Sequence, residues 1–214
     1  MQLQQTSSEQ LDNVTACHLL CFNKSFAAKV GFSYAKKTLE WFLVADNRFL
    51  FHITDNGEVI GYCGGFQSKG AGDGSTSGMI QYAMKEAVSG MIKKPWLLFH
   101  KDIIRFYPLI IRNIYRKIVP KKNAVIVESS TRVRQIGLVV IGVHPSFRGQ
   151  GYFEMLMNYF EQECTNRRAQ RMILSVRADN TRAIAAYQKA GWIIGKSTDK
   201  AMEMYKDIAG NNVI

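Results

Sequence analysis

The chain has 214 residues, of which 47% are hydrophobic and 21% charged. That suits one domain with a sizeable core better than two full domains, and excludes a disordered chain. A net charge of +11 favours acidic partners such as nucleic acid, anionic lipid or phosphorylated small molecules. The polar start, Met1 to Gln10, lacks a secretory apolar run, and the most apolar stretch, 96–119, is broken by Lys101, Asp102, Arg105, Arg112, Arg116 and Lys117. A spanning helix needs about 20 predominantly apolar residues, so none is expected.

Taken in chain order, residues 2–6 predict a short strand. Thr6 followed by Glu9 has the spacing of a capping box and opens a helix carrying Leu11, Val14, Leu19 and Phe22. Cys17 and Cys21 lie one helical turn apart on it. No second ligand pair accompanies them, so core packing is the better reading and no metal is expected. With Cys63 and Cys164 they are too few and scattered for a disulfide framework, which points to reduced thiols in the cytoplasm. A second helix is predicted from Ser33 to Ala45. A hairpin follows: Arg48 to Thr54, the tight turn Asp55-Asn56-Gly57, and Glu58 to Phe66.

Residues 67–133 interrupt this pattern and read as an insertion laid over a single domain, 1–214. A loop with Gly70, Gly72, Gly74 and Gly78 leads to helical stretches at about 76–90 and 96–118, with Pro95 placed to open the second and Pro108 to kink it. From Lys85 to Lys122, ten Lys and Arg face only Glu86 and Asp102, so most of the positive excess sits here. The basic, apolar part, 96–122, has three readings: cover for the core, a site for an anionic acceptor, or peripheral contact with an anionic membrane.

From Gln135 the pattern sharpens. Ile136 to Val143 is a continuous apolar run, expected of a strand buried on both faces. A loop (144–150) enters a helix to about Arg167, Met172 to Val176 is a strand, and Asn180 to Ala190 a helix capped by Gly191. Two strands, 192–196 and 202–207, end the pattern. The alternation implies an α/β domain with helices flanking a mixed central sheet.

Two motifs carry chemistry. Arg148-Gly149-Gln150-Gly151-Tyr152 lies between a buried strand and a helix, where two glycines permit an unobstructed turn and free amides at the helix start suit a phosphate. It is neither the dinucleotide fingerprint nor the nucleotide P-loop, and alone it is weak evidence. Asn180 and Tyr187 stand about two helical turns apart on nearly one face, with Ala183 and Ala186 leaving room beside them. Alone, Tyr187 reads as core packing with its hydroxyl at the rim.

In combination, Val143-His144-Pro145, Arg148 to Gly151, and Asn180, Ala183, Tyr187, Gly191 and Trp192 resemble the GNAT superfamily of N-acyltransferases, specifically over about 134–208. The resemblance implies a GNAT-like mixed sheet, with the helical insertion preceding the central cofactor-binding strand, and acetyl-CoA held as co-substrate where two central strands part. It implies that backbone at Ile141 and Val143 pairs with the pantetheine arm, that Arg148, Gly149, Gln150, Gly151 and Tyr152 hold the pyrophosphate, that Asn180 contacts the cofactor, and that Tyr187 protonates the departing thiolate. Two positions after Gly151 the family has glycine or alanine, whereas this chain has Phe153, a side chain able to point away from the cofactor.

An attacking amine must lose a proton, and the strand 135–143 carries no acid for that purpose; Glu128, Asp73, His52 or an ordered water are the candidate bases. Cys63 has no partner base and reads as a buried thiol. The expected activity is acetyl transfer to a primary amine of a small molecule, with an amino sugar as the acceptor suggested by analogy. Alternatives are acetylation of a protein N-terminus or lysine, and a non-catalytic CoA-binding module. No recognisable nucleic-acid motif accompanies the basic residues, so no nucleic acid is expected.

Overall fold

The computed structural model describes residues 1–68, 75–99, 104 and 133–208. Along the chain run β1 (Gln2–Gln5), α1 (Leu11–Cys21), α2 (Phe26–Val30), α3 (Phe32–Glu40), a 3-10 turn (Trp41–Leu43), β2 (Arg48–Asp55) and β3 (Glu58–Gln67). There follow α4 (Ser75–Tyr82), α5 (Met84–Lys93) and a 3-10 turn (Pro95–Phe99). The last group is β4 (Gln135–Val143), α6 (Tyr152–Asn166), β5 (Arg171–Arg177), α7 (Thr181–Lys189), β6 (Ile193–Ser197) and β7 (Ala201–Asp207). The described strands form a seven-stranded sheet in the order β1-β2-β3-β4-β5-β7-β6, with β4 and β5 parallel and every other pair antiparallel. A mixed α/β sheet between helices is the architecture the sequence predicts.

Side chains alternate across a strand, and β2 sorts its residues accordingly. Phe49, Phe51 and Ile53 join Leu156, Phe160, Ile184 and Tyr187 of α6 and α7 on one face, while Leu50 joins Leu11, Val14, Leu39 and Phe42 beneath α1 and α3 on the other. A third cluster, Val30, Tyr34, Ala83, Ala87 and Leu97, packs the described part of 67–133 against α2 and α3.

Several expectations change. Thr6 does not close a capping box: its hydroxyl lies 2.9 Å from His52 Nδ1 beneath the sheet, and Gln10 precedes the first residue of α1. The buried imidazole needs a partner, and Thr6 supplies it. The helix expected from Ser33 starts at Phe32, tightens into a 3-10 turn at Trp41, and is preceded by α2, which Ser25 caps by accepting from Ala28 N–H. The stretch 76–90 is split at Ala83 into α4 and α5. Pro95 does open a turn, but of 3-10 type; Pro108 and, apart from Ile104, residues 100–122 lie outside the described residues, as do Asp73 and Glu128. Among the described residues no helix is long and apolar enough to cross a membrane.

Candidate active site

The site begins with a parting of strands. β4 and β5 pair only from Gln135↔Arg171 to Leu138↔Leu174. Beyond Leu138, β4 stays with β3 through Gly61↔Val143, and β5 stays with β7 through Arg177↔Ala201. A register shift opposite Gly64 and Gly65, leaving Val139 as the extra residue of β4, accompanies the divergence. The unzipped edges open a cavity of about 930 Å³ lined by β4 from Leu138 to Val143 and by Leu174, Ser175 and Val176 of β5. This is why β4 is only partly buried, contrary to the expectation from its apolar run.

Peptide groups alternate along a strand. His144 N–H donates to the Ile60 carbonyl of β3 at 2.8 Å, so Val143 and Ile141 turn theirs away from β3, toward the gap. The Val143 carbonyl accepts there from Arg148 Nε at 3.2 Å, and the Arg148 guanidinium reaches the Cys21 carbonyl at 3.5 Å. At the mouth, Gly151 precedes α6 with φ +84°, no side chain caps the helix, and a Cβ added at Gly151 or Gly149 would meet nothing within 4 Å. The first-turn amides of α6 therefore stand beside open space at the positive end of a 15-residue helix.

On the other side of the gap, Asn180 accepts from Ala183 N–H at 3.3 Å and so starts α7. Tyr187 is buried between Phe153 and Trp192, with ring centroids 5.7 and 5.9 Å away. Its hydroxyl has no hydrogen-bond partner among the described residues. Burial raises its pKa, so the phenol stays protonated throughout the neutral range. Phe153 lies in the cavity wall against Tyr187 and not away from it, because the first turn of α6 faces α7.

The structure thus brings Ile141, Val143, Arg148, Gly149, Gly151, Asn180 and Tyr187 to one cavity. Gln150 and Tyr152 do not line it: Gln150 turns back to the Ser146 carbonyl, and Tyr152 packs on Phe147. His52 is buried between Gln4 and Thr6, away from this cavity, and does not qualify as a base. Cys63 is fully buried, and desolvation pushes its thiol well above the usual range, which makes it inert. Sequence reasoning missed His18, Cys21 and Arg182, which also line the cavity. His18 Nδ1 lies 2.6 Å from the hydroxyl of the buried Tyr62, and burial lowers its pKa to about 4, leaving a neutral imidazole. Beyond it the wall is Phe22, Ser25, Phe26, Tyr34, Thr38 and Met79.

A mixed sheet unzipped at its centre, with a glycine turn and an uncapped helix start beside the gap, defines an α/β protein with an open cleft between its two parallel strands. Residues 118–192 match the model of the Acetyltransferase (GNAT) family. The fold resembles the ribosomal-protein-S18-alanine N-acetyltransferase of Escherichia coli, at 16% identity and a TM-score of 0.56, covering 100% of this chain and 98% of that one. It also resembles Chaetomium thermophilum Naa20, solved in complex with a bisubstrate analogue, at 15% identity and a TM-score of 0.56, covering 99% and 88% of the two chains. An acetyltransferase of the GNAT family from Streptococcus pneumoniae aligns at 12% identity with a TM-score of 0.56, over 97% of this chain and 99% of that one. A comparison with curated proteins finds no match. The family signature over 118–192 covers the two motifs singled out in the sequence, and the fold is the one these acetyltransferases have.

Proposed function

We propose that the protein transfers an acetyl group from acetyl-CoA to a primary amine of a small molecule, an amino sugar being the acceptor class that the wall chemistry favours. The carrying observation is the unzipped β4–β5 gap, whose cavity reaches both the uncapped start of α6 and an aromatic wall. Acetyl-CoA supplies an activated thioester; the residues of the chain do the rest. The gap-facing peptide groups of Ile141 and Val143 pair with the pantetheine arm as a neighbouring strand would. The amides around Gly149 to Tyr152 and the guanidinium of Arg148 hold the pyrophosphate, and Arg182 adds positive charge nearby. Asn180 sets the start of α7 and lies beside the cofactor; as the amine nitrogen bonds to the acetyl carbon and the C–S bond breaks, Tyr187 gives its proton to the sulfur, and the amine's proton passes to water, from which the phenol is restored.

Phe22, Phe26 and Tyr34 support a sugar-like acceptor, because the C–H face of a pyranose packs on aromatic rings while its hydroxyls reach polar groups. Among the described residues the cavity lining has one carboxylate, Glu154 in the first turn of α6, and none beside Phe22, Phe26 and Tyr34. Thiol release from acetyl-CoA, measured across amino sugars, polyamines and peptides, tests the reading. Turnover with amino sugars supports it, and turnover confined to peptides replaces it with protein acetylation.

A further inference from the structure

The α1 side of the cavity contains a buried phenol–imidazole pair, Tyr62 and His18. Tyr62 of β3 is fully buried, and its register partner on β4 is Gly142. A Cβ at Gly142 would stand 2.8 Å from the Tyr62 ring, and 3.1 Å from both its hydroxyl and Cys21 Sγ. The glycine lets the phenol lie across β4 at Gly142, on the face that α1 covers, and His18 meets its hydroxyl from α1 at 2.6 Å.

The hydrogen positions follow from bookkeeping. Among the described residues the Tyr62 hydroxyl has no partner besides His18 Nδ1, and a buried hydroxyl donates where it can. Its proton therefore goes to Nδ1. A neutral imidazole that accepts at Nδ1 carries its own proton on Nε2. Nε2 has no partner among the described residues, and His18 lines the cavity. A lone imidazole beside an amine site suggests a base, but this tautomer has no free lone pair to offer; it offers a donor.

We infer that Tyr62 locks His18 as a neutral Nε2–H donor that binds an oxygen next to the acceptor amine, so that the enzyme prefers 1,2-amino alcohols, the unit present in 2-amino sugars, over plain alkylamines. This rests on the acetyltransferase reading above and narrows its substrate class. His18 touches the acceptor; Tyr62 is a positioning residue acting through it. The titratable and charged groups around the pair are Cys17 and Cys21 on α1, Cys63 on β3, and Arg148 on the loop after β4, which bonds the Cys21 carbonyl. None of them accepts the Tyr62 proton. A site built to hydrogen-bond a hydroxyl discriminates against the analogue that lacks it, because its donor is then left unpaired.

The test compares trans-2-aminocyclohexanol with cyclohexylamine, two amines alike except for the hydroxyl. The ratio of their kcat/KM values in the unmodified protein exceeds that in His18→Phe by about 10-fold, the worth of one neutral hydrogen bond. His18→Gln, whose amide donates but is no base, restores part of the preference, and Tyr62→Phe weakens it. An unchanged ratio in His18→Phe, turnover of neither amine, or a His18→Gln variant as impaired as His18→Phe overturns the proposal. Nitrogen-15 NMR of the imidazole, assigned by its disappearance in His18→Gln, shows the Nε2–H tautomer in the unmodified protein and a mixture in Tyr62→Phe. An Nδ1–H form in the unmodified protein refutes the lock. The NMR result does not depend on acetyl-CoA, and calorimetry with acetyl-CoA on the same samples shows separately whether the cofactor reading fails.

Discussion

Gly151→Ala separates the demands of the backbone from those of the ligand. Gly151 has φ +84°, and an added Cβ would meet no protein atom within 4 Å. The folded chain therefore suffers only the left-handed backbone, a cost of about 1–2 kcal/mol. For a protein of this size that lowers Tm by about 2–8 °C. Gly57, in the β2–β3 turn, is a matched control: φ is +82° and its Cβ would also meet open space, so Gly57→Ala lowers Tm by a similar amount. The ligand sees the difference. At Gly151 the open space is where the diphosphate approaches the amides of α6, and one lost hydrogen bond to a charged group is worth about 1.5–3 kcal/mol. Calorimetry is therefore expected to show acetyl-CoA affinity falling about 10- to 100-fold in Gly151→Ala and unchanged in Gly57→Ala. Native affinity in Gly151→Ala, or equal losses in both variants, would refute the reasoning.

Tyr187→Phe is expected to lower turnover by about 10²-fold or more while acetyl-CoA affinity survives, measured by steady-state kinetics beside calorimetry. Because burial raises the Tyr187 pKa, its ionisation places no alkaline limb on the unmodified enzyme's rate below about pH 10. Phe153→Ala removes a half-buried ring that supports Tyr187; it costs about 1–3 kcal/mol in urea unfolding, less than for a fully buried phenylalanine. Turnover falls with it and acetyl-CoA binding is retained. Acid should weaken the fold through His18, whose pKa is lowered from 6.5 to about 4. Since the unfolded chain takes up the proton first, stability is lost as pH falls from about 6.5 to about 4, by at most about 1.4 kcal/mol per pH unit for this group. Burial lowers His52 as well, in the same direction. His18→Gln removes one share of that slope in urea midpoints measured at pH 7 and pH 4.5; an unchanged slope would mean that His18 is not held neutral by the fold.

What was legible in the sequence was local. Asn56-Gly57 specifies its own turn, the glycines at 149 and 151 mark the bend before α6, and Asn180 with Tyr187 follows from helical periodicity alone. Thr6 misled because the same residue serves as a helix cap or as a partner for a distant imidazole, and only the fold brings His52 beside it. The apolar run of β4 misled for a related reason: a strand lining a cofactor-sized gap needs the same side chains as one enclosed in a core. The pair His18 and Tyr62 carried no sequence signal. It depends on a contact 44 residues apart and on a glycine in a third element, β4. Phe153 was visible as a departure from the family pattern, but its direction was set by the packing of α6 on α7.

The most direct test of the central claim is a structure of the protein with CoA bound. The pantetheine arm is expected between β4 and β5, bonded to peptide groups of Ile141 and Val143, with the pyrophosphate at Gly149 to Tyr152 and the sulfur beside the Tyr187 hydroxyl. CoA bound elsewhere, with the β4–β5 gap empty, would contradict it.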